Sequence, residues 1–436
     1  MKKVKTVLLL ASTVLASFSA FAKVDGVIYA GKVLVKPEED ALTKQTLVLE
    51  DGKVSAIHEG YILPHKLGLK DVKLYDLKDY YVMPGMIDMH VHLTFERDKQ
   101  VNPHAWLTQD DADYALNSIP YLQKTLDAGF TAVRDLGARY QVIFPLKRAV
   151  EKQLITGPRI FASGNAISAT GGHGDMHGYR RDLTETMNTS LGICDGAADC
   201  QRAVREVIKY GADVIKITAT GGVLSNTAAG VNQQLTDDEL NAIVNTAHNL
   251  GRKVTAHAHG TQGVNAAIRA GVDSIEHGSY LDDESIALFK RHGAYLVPTL
   301  LAGHTVSKEV LNNPNMPKAI ADKVRQVAPV VEKSFRNALK NQVNIAFGTD
   351  SGVSRHGDNA KEAQLMVEFG MTPKQVLVSA TRSAAKLLGQ EDNLGSLEVG
   401  KYADIIALKA NPEEDISALS EVSFVMKNGV VYKNQL

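Results

Sequence analysis

At 436 residues the chain is long enough for one large core and a smaller one. Its charge is nearly balanced, 48 Lys+Arg against 49 Asp+Glu, and it carries no basic run or aromatic-interleaved basic stripe, which argues against a nucleic-acid partner.

Met1–Ala22 combines three lysines, a short apolar stretch and an Ala20-Phe-Ala22 ending, the pattern of a cleaved secretory signal. The mature chain is expected to begin near Lys23, outside the cytoplasm, and the lysine-rich start suits a bacterial periplasm. Beyond the signal no stretch of about 18 uninterrupted apolar residues follows, so no membrane span is expected. Gly26–Tyr29, Thr46–Glu50 and Lys53–Ile57 alternate as antiparallel strands, the last two joined by an Asp51-Gly52 turn. The C-terminal end has the same texture, with Ala403–Leu408, Val422–Met426 and a turn at Asn428-Gly429 leading to Val430–Tyr432. Each ribbon alone is too small to hold a core. Together they predict one small β-sandwich domain built from both termini, residues 23–82 and 386–436.

Residues 83–385 alternate short apolar strands with longer helical stretches. The strands are Gly85–Met89, Thr131–Asp135, Arg159–Ser163, Val214–Thr218, Lys253–His257, Ser274–Glu276, Ala294–Pro298 and Asn344–Gly348. Ala203–Tyr210 and Leu240–Ala247 show helical periodicity between them. Eight repeats of strand and helix predict an α/β fold, a (β/α)8 TIM barrel, whose chemistry sits at the C-terminal strand ends. Cys194 and Cys200, between the third and fourth strands, either form a disulfide in an oxidising compartment or remain free thiols.

Polar groups cluster where the barrel rule places them. His90 and His92 close the first strand on a shared face. Lys216 lies in the fourth, and His257, His277 and Asp350 end the fifth, sixth and eighth. Neutral imidazoles and a carboxylate are ligands for zinc or a similar divalent ion. Lys216, flanked by Val214, Ile215 and Ile217, loses its charge easily when buried, and a neutral amine can add carbon dioxide to become a bridging carbamate. His58, His65, His104, His248, His292 and His304 read as ordinary surface or core positions. The glycine-rich loop after the third strand carries His173 and His177, and the loop after the eighth carries Arg355 and His356. These four are candidate anchors for a substrate carboxylate.

The runs Pro84-Gly-Met-Ile-Asp-Met-His-Val-His, Gly211-Ala-Asp-Val-Ile-Lys-Ile, His257-Ala-His-Gly, Ile275-Glu-His-Gly, Gly348-Thr-Asp and Gly395-Ser-Leu-Glu-Val-Gly-Lys-Tyr-Ala-Asp resemble the amidohydrolase superfamily over nearly the whole mature chain. Within it the chain looks most like the prolidase-like metal-dependent dipeptidases and carboxypeptidases. That resemblance implies two metal ions, zinc being the ion the ligands suit best. The first would take His90, His92 and Asp350, the second His257 and His277, and Lys216 carboxylated by carbon dioxide would bridge them. It also implies a metal-bridging hydroxide, Asp350 as the proton-accepting base, and His259 as a donor to the substrate carbonyl. The expected substrate is a small molecule, a dipeptide or N-acyl amino acid with a free C-terminal carboxylate, and the chain is expected to associate as a homo-oligomer. The first alternative is a single-metal imidazolone or cyclic-amidine hydrolase or deaminase on the same fold. Its deaminase form would want a glutamate where Gly260 stands. The second is an inactive periplasmic binding scaffold, which a missing ligand would have favoured.

Overall fold

The computed structural model describes residues 24–97, 105–182, 192–225, 230–313 and 316–436. The expected signal and His104 lie outside them. The N-terminal segment forms β1 (Val24–Val33), β2 (Leu42–Glu50), β3 (Lys53–Glu59) and β4 (Leu74–Pro84). The central segment supplies β5 (Met86–Val91), β6 (Phe130–Asp135), β7 (Arg159–Ala162), β8 (Val214–Thr218), β9 (Lys253–Ala258), β10 (Ser274–His277), β11 (Tyr295–Val297) and β12 (Asn344–Ile345). The C-terminal segment adds β13 (Ile405–Leu408), β14 (Val422–Lys427) and β15 (Val430–Asn434).

The terminal strands make one seven-stranded sheet in the order β15-β14-β13-β4-β1-β2-β3, where two sheets of a sandwich were expected. The difference comes from β4, which sequence reading missed. It pairs parallel with β1 and antiparallel with β13, so it joins the two ribbons in one ladder. Its first half carries Asp76, Lys78 and Asp79, which blur the strand alternation. The sheet coils on itself: Val54 N–H donates to Lys401 O (3.0 Å) and Ala403 N–H to Gly52 O (2.8 Å). The coil encloses Ile28, Leu47, Leu77, Ile405 and Phe424. Both hairpins close as the sequence suggested, with Asp51 and Gly52 at φ 48° and 74° and Asn428 and Gly429 at φ 50° and 72°. Two successive left-handed residues match the twist of paired strands.

In the central segment all eight expected strands form, each followed by helix. The helices are α1 (Asp111–Asp127), α2 (Tyr140–Glu151), α3 (Ala197–Tyr210), α4 (Asp237–Asn249), α5 (Thr261–Ala270), α6 (Asp283–His292), the pair α7 (Leu300–Asn312) and α8 (Lys318–Lys340), and α9 (Lys361–Glu368). The strands lie in two parallel ladders, β5-β6-β7 and β8 to β12, instead of one continuous sheet. Backbone hydrogen bonds run between the ladders on both sides. Met89 N–H donates to Phe347 O (2.9 Å) and Asp350 N–H to His90 O (2.7 Å). On the other side Ile167 N–H donates to Lys216 O (2.8 Å) and Thr218 N–H to Ile167 O (3.0 Å). Cys194 and Cys200 are bonded, tying the approach of α3 to its first turn.

Candidate metal centre

Three of the non-glycine residues with left-handed backbone lie at the C-terminal strand ends: His277 (φ 72°), Thr299 (φ 50°) and Asp350 (φ 57°). Such conformations cost roughly 1–3 kcal/mol each and persist only where the surroundings hold them. Successive strand residues normally point to opposite faces. Here the turn at His277 lets Glu276 and His277 both take part in one interior network.

The strand ends surround a cavity of about 390 Å³ lined by His90, His92, Lys216, His257, His277 and Asp350, with His173 and His259 beside them. Asp350 Oδ1 lies 3.0 Å from His92 Nε2 and 3.5 Å from His90 Nε2. Four rings are fixed from behind through Nδ1. His90 meets Glu276 Oε2 at 2.9 Å, His92 meets Gly137 O at 3.0 Å, His277 meets Thr299 Oγ1 at 2.6 Å and His259 meets Ser279 Oγ at 2.8 Å. In His90, His92 and His277, where Nδ1 donates, Nε2 is left as the nitrogen with a lone pair for a metal ion. Ligand atoms of His90, His277 and Asp350 lie within 4.8 Å of one another, and so do those of His257, His259 and His277. His257 Nε2 is buried without a hydrogen-bond partner. A native protein rarely leaves such an atom unpaired. Together with the Asp350 carboxylate, whose Oδ1 has the His92 ring as its neighbour, and the surrounding imidazoles, it fits a divalent cation of the zinc type.

The electrostatics favour that donor set. Burial pulls His90 and His259 to about 4, His173 to about 3, and His257 and His277 well below the ordinary imidazole value. These five rings are therefore neutral, each with one nitrogen lone pair; burial would lower His92 as well, but the Asp350 carboxylate outweighs it and raises that ring. Burial also brings Lys216 down to about 8, against the pull of the Glu276 and Asp350 carboxylates. Glu276 is buried too, which would raise it, yet the Arg134 guanidinium and the His90 ring outweigh burial and hold it at about 2. Arg134 Nη2 donates to Glu276 Oε1 at 2.8 Å, Ser274 Oγ does so at 2.9 Å, and the Thr255 hydroxyl bonds the same oxygen.

Of the four suggested carboxylate anchors, only His173 lies on the cavity wall. Its ring centroid is 4.2 Å from that of His257, and its Nδ1 is 2.5 Å from Ser225 Oγ. His177 turns back to its own loop, with Nε2 2.8 Å from Gly172 O. His356 stacks on Tyr121 at 4.9 Å and meets Phe95 O through Nε2 at 2.9 Å, while Arg355 is exposed. None of these last three lines the cavity. Residue type and loop position placed them near the site, but the direction of a loop side chain is set by contacts that sequence spacing does not encode. The supporting groups Glu276, Arg134, Ser279 and Thr299 were not singled out beforehand. Their signal was weak, since Glu276 showed only as the residue before His277.

A comparison with known families adds the decisive observation: residues 81–432 match the amidohydrolase family. This chain belongs to the amidohydrolase family. It is similar to the ochratoxinase of Aspergillus niger, 33% identical over 426 residues that cover 93% of this chain and 86% of that protein. The crystal structure of a Xaa-Pro dipeptidase with bound methionine in its active site superposes with a TM-score of 0.88 at 39% identity, covering 94% of this chain and 100% of that one. A prolidase structure complexed with N-methylphosphonate-L-proline has a TM-score of 0.82 at 31% identity, covering 94% and 100%. The chain is thus a prolidase-like amidohydrolase and a hydrolase. The cluster at its strand ends is a candidate site for the metal on which this family generally depends.

Proposed function

We propose that this amidohydrolase cleaves a peptide or amide bond next to a free C-terminal carboxylate, in dipeptides or N-acyl amino acids, using two divalent ions, zinc for preference, held on a closed (β/α)8 barrel. The observation that carries the reading is the one cavity on which all six candidate ligands converge, with His257 Nε2 left unpaired. His90, His92 and Asp350 would hold one ion, His257 and His277 the other, with Lys216, carboxylated by carbon dioxide, serving both. Two such ions supply hydroxide at neutral pH and polarise the scissile carbonyl.

The chain's own groups do the rest. Burial would raise Asp350, but the His90 and His92 rings and Lys216 outweigh it and hold the carboxylate below its usual range, so it is ionised and ready to accept a proton. It takes the proton of the attacking water and passes it to the leaving nitrogen. His259, with Nδ1 accepting from the Ser279 hydroxyl, carries its one proton on Nε2 and donates it in a hydrogen bond to the carbonyl oxygen as negative charge grows there. His173 offers a ring to the substrate carboxylate. Lys216 in the cavity and Gly260 in place of an acid favour this reading over a single-metal deaminase.

We further assign the protein to a compartment outside the cytoplasm, the periplasm of a bacterium. The lysine-rich start of Met1–Ala22 and the Cys194–Cys200 bond support that reading. The test of the activity compares a dipeptide with the same dipeptide amidated at its C-terminus, using zinc-supplemented protein. A carboxylate anchor makes the amide a much poorer substrate. Equal rates, or activity confined to lactones or cyclic amidines, would overturn the proposal.

A further inference from the structure

The polar cluster occupies only part of the cavity. The remaining wall is mainly aliphatic, with Phe95 and Ser307 beside the aliphatic groups, and comes mainly from the two helices that follow β11. On α8, Val324, Val327 and Val331 recur at helical spacing and form one stripe along the cavity. Val306 of α7 faces the same space, and Leu224 and Val353 complete the wall from the loops after β8 and β12.

Charge is missing from this wall among the described residues. Among the described residues Asp350 is the only carboxylate that lines the cavity, and it belongs to the candidate metal centre. Lys323, next to Val324 in sequence, does not line it. Its Nζ donates to Gly222 O at 2.8 Å and Ser225 O at 2.6 Å, which directs the ammonium into the loop after β8. A guanidinium, ammonium or carboxylate laid against the valines would therefore lose its hydration without gaining a partner. An aliphatic or aromatic side chain would exchange water for apolar contact.

Resting on the hydrolase reading above, we propose that the wall selects a large uncharged apolar side chain on one of the two residues flanking the cleaved bond. Substrates bearing Leu, Met or Phe there are accepted, and those bearing Arg, Lys, Asp or Glu there are rejected. The valine stripe on α8 is the specificity-determining surface.

The test uses the purified, zinc-supplemented full chain and two dipeptide series, Xaa-Ala and Ala-Xaa, with Xaa drawn from Ala, Leu, Phe, Asp and Arg. In one series kcat/KM should rise about tenfold or more from Ala to Leu, since hydrophobic pockets gain that much from added methylenes. Asp and Arg in that series should fall below Ala. Val327→Asp should raise the Arg-to-Leu ratio of that series at least about tenfold by supplying the missing partner. Val327→Thr keeps the volume of the wall and should lower the Leu-to-Ala ratio even if the aspartate variant does not fold. Flat rates in both series, or a preference for Arg or Asp in the native protein, would overturn this inference and leave the hydrolase reading standing. Failure to cleave any dipeptide or N-acyl amino acid, with turnover of a lactone or cyclic amidine, would overturn both.

Discussion

Glu276→Gln tests how the candidate metal centre is held. The native carboxylate uses Oε1 to accept from Arg134, Ser274 and Thr255 and Oε2 to accept from His90 Nδ1 at 2.9 Å. Glutamine keeps the shape but has one acceptor oxygen. With that oxygen kept toward Arg134, the amide N–H faces His90 Nδ1, which must then accept and send its proton to Nε2. Nε2 is the nitrogen 3.5 Å from Asp350 Oδ1, so the variant blocks the atom expected to bind the ion. Loss of such a supporting contact lowers metal affinity about 10–100-fold. Arg134 and Glu276 are both buried, so removing one charge of the pair also costs about 3–5 kcal/mol of stability. Metal competition against a chromogenic chelator reads the first effect and urea unfolding the second. Adding Arg134→Met to Glu276→Gln should recover stability but not metal affinity. A single variant that binds metal within twofold of the native protein would refute this tautomer argument.

Three further outcomes follow from particular contacts. Asp350→Asn should retain the fold while losing most of kcat, measured on the best dipeptide; near-native kcat would mean that another group moves the proton. Serine at both Cys194 and Cys200 should lower stability by about 2 kcal/mol, the value for opening a loop this short, without loss of bound metal at ambient temperature. Burial raises Glu362 to about 8 even though it accepts from the backbone N–H groups of Leu300 (2.9 Å) and Leu301 (2.6 Å). Its folded value therefore exceeds its ordinary 4.5, so its contribution is complete below about pH 4.5 and is lost as pH rises to about 8. Urea melts between pH 5 and 8 should show a flatter pH slope for Glu362→Gln than for the native chain, and identical slopes would contradict that assignment.

The candidate site was legible because its residues carry their own sequence signal. The histidines and Asp350 are titratable residues ending an apolar run, Lys216 is a lysine inside one, and the barrel rule converts a strand end into a place in the cavity. Strand order followed from the same alternation, and β8 begins and ends where expected. What escaped was set by contacts between distant segments. The Arg134–Glu276 pair joins residues 142 positions apart. β4 became visible only through its pairing with both termini, and that pairing replaced the expected sandwich by one coiled sheet. His356 was expected at the substrate, but packing against Tyr121 took it elsewhere. The cavity's aliphatic wall was equally hidden, because a valine stripe on α8 reads in sequence as ordinary core.

The central claim, a hydrolase working with two ions held by His90, His92, Lys216, His257, His277 and Asp350, is tested most directly by titrating metal-stripped protein with zinc while following dipeptide hydrolysis. Activity should rise to a plateau at two equivalents per chain, and Lys216→Ala should remove the plateau, with partial return on adding a small carboxylic acid. A plateau at one equivalent, or full activity in the stripped protein, would contradict the account.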